Sequence, residues 1–288
     1  MDFLSIKKKF NLLLPGVFFL LSGLVFFSCE DDENMIVQRD WQLVWQDEFE
    51  GAAGQGVDPD KWTYDTGTGC DTPTGCGWGN AELQYYTDRP ENVSLDGNGH
   101  LAITSRRESF GTAAYTSGRI TTKGIFEQTY GRFEARIKMP WGPGLWPAFW
   151  MLGSNIDEVS WPLCGEIDIV EYRGQETNLI HGSVHGPGYS GGNPVTKTFG
   201  FENERFDVDF HVFAVEWGED FIDYYVDDTP YFRIRQKDVP GQWVFDHPFY
   251  LLLNTAVGGN FVGFPSSQTP FPQTMLVDYV RVYTEVDQ

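Results

Sequence analysis

The chain has 288 residues, enough for one large all-β domain or two smaller ones, and no Pro/Ser run, charge block or repeat marks a linker inside it. Its 41 acidic against 20 basic residues give a net charge of −21, which repels nucleic acid and sulfated polysaccharide and suits a neutral ligand. Glycine (32) and aromatic residues (16%) are abundant and long amphipathic helical runs are absent, which argues against an α/β fold.

At the N-terminus, Lys7, Lys8 and Lys9 precede an apolar stretch from Phe10 to Phe27 that stops at Ser28-Cys29, the layout of an export signal. Its length would also suit a membrane span, but Pro15 and Gly16 interrupt it. Residues 1–28 resemble a bacterial lipoprotein signal. That resemblance implies cleavage before Cys29, a lipid on its thiol, and an outer-membrane anchor as the only membrane contact. The run Glu30-Asp31-Asp32-Glu33 then opens an acidic flexible tether over 29–40, of a kind that accompanies surface exposure. One catalytic domain is expected over 41–288.

Cys70 and Cys76 lie in a Gly/Thr/Pro-rich loop and could close a short disulfide ring. Cys164 is expected to be a small buried residue, with an unpaired catalytic thiol as the sharper alternative. In "GRFEARIKMP", Phe133, Ala135, Ile137 and Met139 alternate with Arg132, Glu134, Arg136 and Lys138, so one face should be buried and the other wet. Next, "WGPGLWPAFWMLG" gathers Trp141, Trp146, Phe149 and Trp150, and Trp161 follows. Tryptophans usually fill a core. In a Gly/Pro-kinked stretch beside acids they could instead be platforms for the apolar faces of sugar rings.

"GEIDIVE" puts Glu166, Asp168 and Glu171 on a β-branched strand. Period two places Glu166 and Asp168 on one face and Ile167 and Ile169 in the core. Glu171 has the wrong parity unless Ile169-Val170 form a bulge that keeps both apolar side chains inside. With the bulge the two glutamates are roughly 13 Å apart along the backbone. Leaning together, their carboxyls approach the ~5–5.5 Å of a retaining glycosidase rather than the wider gap of an inverting one. Neighbouring anions raise an acid's hold on its proton, which would separate an acid from an ionised nucleophile. Asp168, between them, can hydrogen-bond Glu166. The bland readings are a solvated acidic face or a calcium site.

In "GSVHGPGYSGG", His185 could bond a sugar hydroxyl or assist on the leaving-group side. A zinc site is not expected there without a clustered partner, and five scattered histidines make metal hydrolysis a weak rival. Downstream, "FHVFAVEWGEDFIDYYVDD" reads as two strands joined at Gly218-Glu219-Asp220, and "MLVDYVRVYT" as a closing strand. Many short strands between Gly, Pro and Asn turns favour a two-sheet antiparallel β-sandwich, one face of which becomes a cleft if the sheets curve.

The motif "GEIDIVE" resembles the E-x-D-x-x-E signature of glycoside hydrolase family 16 in its bulged form. "YGRFEARIKMPWGPGLWPAFWML", "GWGNAELQYYT", "HGPGYSGG" and "VDYVRVY" resemble its laminarinase branch, the endo-β-1,3-glucanases, in the same order from Trp41 to Tyr283. The resemblance implies a jelly roll with a concave substrate cleft and a retaining mechanism on β-glucan, in a monomer with no catalytic cofactor. It makes Glu166 the nucleophile, Glu171 the acid/base and Asp168 the assisting carboxylate. It places Asn80, Glu82, Arg119, Trp146, Trp150, Trp161 and His185 along the cleft. It also implies a structural calcium at Glu50, Gly99 and Asp278, away from catalysis, where oxygen ligands suit a hard cation. Two rivals remain. One is the same fold acting on agarose or carrageenan, or transferring between glucan chains; the other is a non-catalytic glycan-binding surface lipoprotein, which would need neither nucleophile nor acid.

Overall fold

Alternation of apolar and polar residues is realised in strands such as Leu101–Phe110, whose first six positions alternate between buried and half-buried. The computed structural model describes residues 39–286; the expected signal 1–28, the lipidated Cys29 and most of the tether lie outside the described residues. The strands form two sheets stacked as a sandwich.

The larger sheet has ten strands. Its main path runs Thr229–Arg235, Phe221–Val226, His211–Trp217, Gly131–Lys138, Gln273–Glu285, Leu101–Phe110, Ala113–Ser117 and Gln84–Tyr86, with Trp41–Asp47 and Val93–Leu95 added at the side. The expected closing strand, Gln273–Glu285, runs through the middle of this sheet and pairs with Gly131–Lys138, Leu101–Phe110 and Trp41–Asp47. The hairpin expected at Gly218 is present, closed by the Gly218 N–H on the Phe221 carbonyl (3.0 Å). Pairing is antiparallel except between Gln84–Tyr86 and Ala113–Ser117, which run parallel.

Phe133, Ala135 and Ile137 are fully buried, as their parity requires. Glu134, expected to be wet, is buried as well. It accepts hydrogen bonds from Arg132 Nε (2.9 Å) and Tyr283 Oη (3.2 Å), and Arg132 also reaches Glu216 (3.2 Å). Long polar side chains from three neighbouring strands cover one another there, so parity fixes the face without fixing its exposure.

The second sheet has seven strands, in the order Val195–Gly200, Leu179–His185, Glu166–Glu171, Leu145–Gly153, Phe249–Val257, Arg119–Thr121 and Thr63–Tyr64. Its inner face supplies Phe149, Met151, Ile167, Ile169, Val170 and Leu251 to one core with Phe133, Ile137, Phe213 and Val280 of the other sheet. Burying such a side chain contributes about 1.5–3 kcal/mol. Register is therefore strongly specified wherever several line one face.

Candidate active site

The acids sit on the central stretch of the seven-stranded sheet, and both neighbouring strands register the extra residue. Asp168 pairs with Ser183 and Glu171 with His181 on one side; Asp168 pairs with Trp150 and Glu171 with Ala148 on the other. Ile169 and Val170 both turn inward and are about 1% and 0% exposed. The bulge thereby returns Glu171 to the face of Glu166 and Asp168. Upstream, Gly165 has φ +74, and a Cβ there would lie 2.8 Å from Phe249 Cζ and 3.1 Å from Val244 Cγ2. Only glycine lets the chain enter the strand along this path.

Each glutamate is held by an indole. Trp161 Nε1 donates to Glu166 Oε2 (2.8 Å), and Trp146 Nε1 donates to Glu171 Oε1 (3.1 Å). Ser183 Oγ lies 3.4 Å from the other Glu171 oxygen. Burial, followed by the charge of Asp168, pushes the Glu171 carboxyl up to about 8, against the pull of His185, Trp146 and Ser183. Burial and the Glu166 charge push Asp168 to about 7. Glu166 is also raised, by burial and then by the charge of Glu171, while His185, Trp161 and Asp168 favour its anion. At neutral pH Glu171 keeps its proton and Asp168 is close to half protonated.

His185 pairs with Glu166 across the sheet, while its charge also acts on Glu171. Its Nε2 is 3.2 Å from Asp168 Oδ2 and 3.7 Å from Glu166 Oε1. Burial favours the neutral ring, but Glu166 and Asp168 outweigh it and push the imidazole to about 10. The Asp168 contact lacks hydrogen-bond direction, and that oxygen is buried without a bonded partner. His185 does have clustered partners, which the neighbouring strand supplies: Glu166, Asp168 and His185 each offer a ligand atom within 4.8 Å of the others. In the neutral ring Nδ1 accepts from the Gly191 N–H (3.2 Å) and Nε2 carries the proton toward the carboxylates; the imidazolium that those carboxylates favour gives up the Gly191 bond.

The remaining expected residues form a second group. Asn80 Nδ2 donates to Glu82 Oε1 (3.3 Å), and Glu82 Oε2 accepts from Gln84 Nε2 (2.7 Å) and Tyr86 Oη (3.2 Å). A relay continues from Asn254 Nδ2 to Tyr86 Oη (3.2 Å) and from Trp150 Nε1 to Asn254 Oδ1 (2.7 Å). Since Trp150 neighbours Asp168 and Asn254 pairs with Arg119, this relay ties the two groups across three strands. Trp150 was expected as a bare sugar platform. Its ring is instead partly covered by the Arg119 guanidinium, 4.9 Å from the ring centre. Trp161 is 38% exposed and keeps an open face, whereas Trp141 (45%) stands where its backbone N–H bonds Gln273.

Several partners escaped the sequence: Ser183, Asn254, Tyr86, Trp78 and His181, the cross-strand neighbour of Glu171. Asn254 comes from a strand remote in the chain and Ser183 and His181 from the neighbouring strand, whereas Trp78 and Tyr86 flank Asn80 and Glu82 in sequence and are brought in by the folding of their own segment. Cys70 and Cys76 form the expected disulfide. Cys164 is buried, and burial and the charge of Glu166 push its thiol up to about 12, which removes it as a nucleophile. On the other expected site, a Cβ at Gly99 would lie 3.8 Å from Glu50 Oε1, so these two are adjacent. The Asp278 carboxylate is engaged by Arg136 (2.6 Å), leaving its second oxygen and its backbone for any cation.

Residues 79–280 match the model of glycosyl hydrolases family 16. The chain is 38% identical to a beta-glucanase of Rhodothermus marinus, covering 100% of this chain and 99% of that one. It is 40% identical to glucan endo-1,3-beta-glucosidase A1 of Niallia circulans over 84% of this chain, which spans 38% of that longer protein. The structure of an endo-beta-1,3-glucanase from Pyrococcus furiosus superposes with a TM-score of 0.83 at 49% identity, covering 87% of this chain and 97% of that one.

Proposed function

The chain belongs to glycosyl hydrolases family 16, and we propose that it is an endo-β-1,3-glucanase that cuts laminarin-like or mixed-linkage β-1,3/1,4-glucan with retention. One observation carries the assignment of roles. Three acids share a face: burial and the Asp168 charge push Glu171 up to about 8, above Asp168 at about 7, while Glu166 is bonded by Trp161 and lies 3.7 Å from His185 Nε2.

In this reading Glu171 protonates the glycosidic oxygen as Glu166 attacks the anomeric carbon. Loss of the Glu171 proton leaves a carboxylate that takes a proton from water, and the hydroxide oxygen displaces Glu166 from the glycosyl-enzyme. Asp168 and His185 hold the Glu166 carboxylate between them. Asn80, Glu82, Arg119, Trp146, Trp150 and Trp161 border the sugar path. A module that only binds glycan has no use for a protonated acid beside an anchored carboxylate, and the −21 charge disfavours sulfated galactans.

Glu166→Gln and Glu171→Gln each reduce laminarin turnover by at least about a thousandfold, as loss of a nucleophile or acid requires. Unchanged far-UV circular dichroism shows that folding survives. Proton NMR of the first product formed reads the β-anomer; an initial α-anomer rules out double displacement.

We further propose that residues 1–28 export the chain, that Cys29 carries a lipid, and that Glu50, Gly99 and Asp278 hold a structural calcium. The adjacency of Glu50 and Gly99 supports the last of these, and the Arg136–Asp278 pair opposes it. Mass spectrometry of the membrane-extracted protein detects a diacylglyceryl adduct at Cys29, and an unmodified thiol there removes the anchor.

A further inference from the structure

We propose that Trp78 is a positioning residue for glucan binding, clamping Arg119 against Trp150, and that the Cys70–Cys76 disulfide is the staple that keeps it there. The proposal rests on the reading of Arg119, Asn80 and Glu82 as substrate-binding residues.

Arg119 is sandwiched. Its guanidinium carbon lies 4.6 Å from the centre of the Trp78 ring and 4.9 Å from that of Trp150. Its Nε is 2.8 Å from Asp65 Oδ2, and the side chain is about 12% exposed. A guanidinium between two indoles gains cation–π attraction on both faces and loses the freedom to swing away. Trp150 comes from the rigid Leu145–Gly153 strand. Trp78 comes from a loop.

The Trp78 ring also packs on Tyr86 (ring centres 5.6 Å apart), and the Asn260 N–H bonds the Asn80 carbonyl (2.8 Å) just beyond the loop. None of the residues Cys76–Gly79 is buried, and Gly77 and Trp78 have φ of +66 and +54. For tryptophan, a left-handed backbone is strained and persists only where the surroundings impose it. Here the disulfide and the backbone hydrogen bonds around it impose it. The disulfide joins residues six apart. Inside the ring and at its mouth, Gly77 N bonds the Thr68 carbonyl (2.8 Å), Thr72 N the Gly69 carbonyl (3.0 Å) and Gly75 N the Thr72 carbonyl (3.0 Å). At Gly69 a Cβ would stand 2.8 Å from Trp78 N, so the ring closes directly against the tryptophan. The segment then runs into Asn80 and Glu82, both bonded back to Gly77 (2.9 and 3.1 Å). The ring thereby fixes the backbone that carries Trp78, while Asn80 and Glu82 are also held by Asn260, Gln84 and Tyr86.

Opening it is a defined step. A phosphine or dithiol reductant supplies two electrons, two protons are taken up, the S–S bond breaks and two thiols form. The loop then loses its covalent closure, and the left-handed Trp78 can relax away from Arg119.

The experiment compares the full chain oxidised, reduced with a phosphine, and as Cys70→Ser/Cys76→Ser, Trp78→Ala, Trp78→Phe and Arg119→Ala, each assayed on laminarin well below its Tm. Alkylation and peptide mass spectrometry verify that Cys70 and Cys76 have been reduced. The expected result is a KM raised about tenfold with kcat nearly unchanged for the reduced, double-serine and Trp78→Ala forms, as loss of a desolvated cation–π clamp implies. Trp78→Phe recovers most of the lost affinity, because it keeps an aromatic face. If Arg119→Ala raises KM while reduction and Trp78→Ala leave it unchanged, the clamp is overturned and the binding role of Arg119 stands. An unchanged KM in Arg119→Ala overturns that binding role, and the clamp with it.

Discussion

The indole N–H of Trp146 points at Glu171 Oε1 from 3.1 Å, so a ring expected as a sugar platform also acts on the acid's proton. Trp161 does the same for Glu166 at 2.8 Å. Both bonds stabilise a carboxylate anion, and removing either raises that carboxyl's pKa. Trp146→Phe should therefore move the alkaline limb of the kcat/KM profile upward, and Trp161→Phe should move the acidic limb upward. Each shift should be about one pH unit, the worth of a hydrogen bond to a charged group. Profiles on laminarin from pH 4 to 10 check this. A shift of the same limb in both variants would contradict the assignment of acid and nucleophile.

The acids should make the fold less stable as pH rises. A carboxyl raised in the native state contributes stability that is fully present below its unfolded value and lost as pH climbs through the folded one. For Glu171 the window runs from 4.5 to about 8, and Asp168 adds a loss that ends at about 7. Glu171→Gln should then be more stable than the parent at pH 8, by on the order of 1 kcal/mol or more. The gap should close toward pH 4.5. Urea unfolding at the two pH values measures it, and a gap that widens in acid refutes it.

Deleting Val170 removes the bulge. The strand must then either turn Glu171 inward or slip its pairing with Leu145–Gly153 and Leu179–His185. Hydrolysis should vanish and stability should fall by about 3 kcal/mol or more, since a carboxyl would face Phe149 and its neighbours. Val170→Ala keeps the residue count. It should remain active, losing only about 1–2.5 kcal/mol of stability. Comparable activity in the deletion and the alanine variant would show that the extra residue does not aim Glu171.

If calcium binds at Glu50 and Gly99, chelation with EDTA should lower Tm by several degrees and added calcium should restore it, in proportion to binding that favours the folded state. The kcat at moderate temperature should stay unchanged, because these residues are far from Glu171 in the fold. Glu50→Gln should abolish the calcium response. An equal response in Glu50→Gln moves the ion elsewhere.

The sandwich and the bulged strand were legible because both rest on local patterning. Ile167, Ile169 and Val170 demand burial, Glu166 and Glu171 demand solvent, and one inserted residue is the smallest change that satisfies both. What could not be read were relations between strands distant in sequence. Nothing in "GSVHGPGYSGG" tells that His185 will stand opposite Glu166. Nothing near Arg119 announces Trp78 and Trp150 on its two faces. The tryptophans were located correctly and understood by half, because sequence supplies a ring but not the direction of its N–H. Glu134 differs for a related reason: beside Arg132 on its own strand, its partner Tyr283 is recruited by pairing between strands that begin at residues 131 and 273.

The thiol of Cys164 sits two positions ahead of Glu166, inside a small cluster with Leu152, Tyr250 and Leu252, and burial has silenced it. That silence makes it a clock. An alkylating probe can reach the sulfur only when this end of the strand comes away from its neighbours, so the rate at which Cys164 is labelled measures how often the ribbon carrying the nucleophile breathes. Followed by peptide mass spectrometry with and without bound oligosaccharide, that rate would tell whether the sugar grips a rigid scaffold or quiets a restless one.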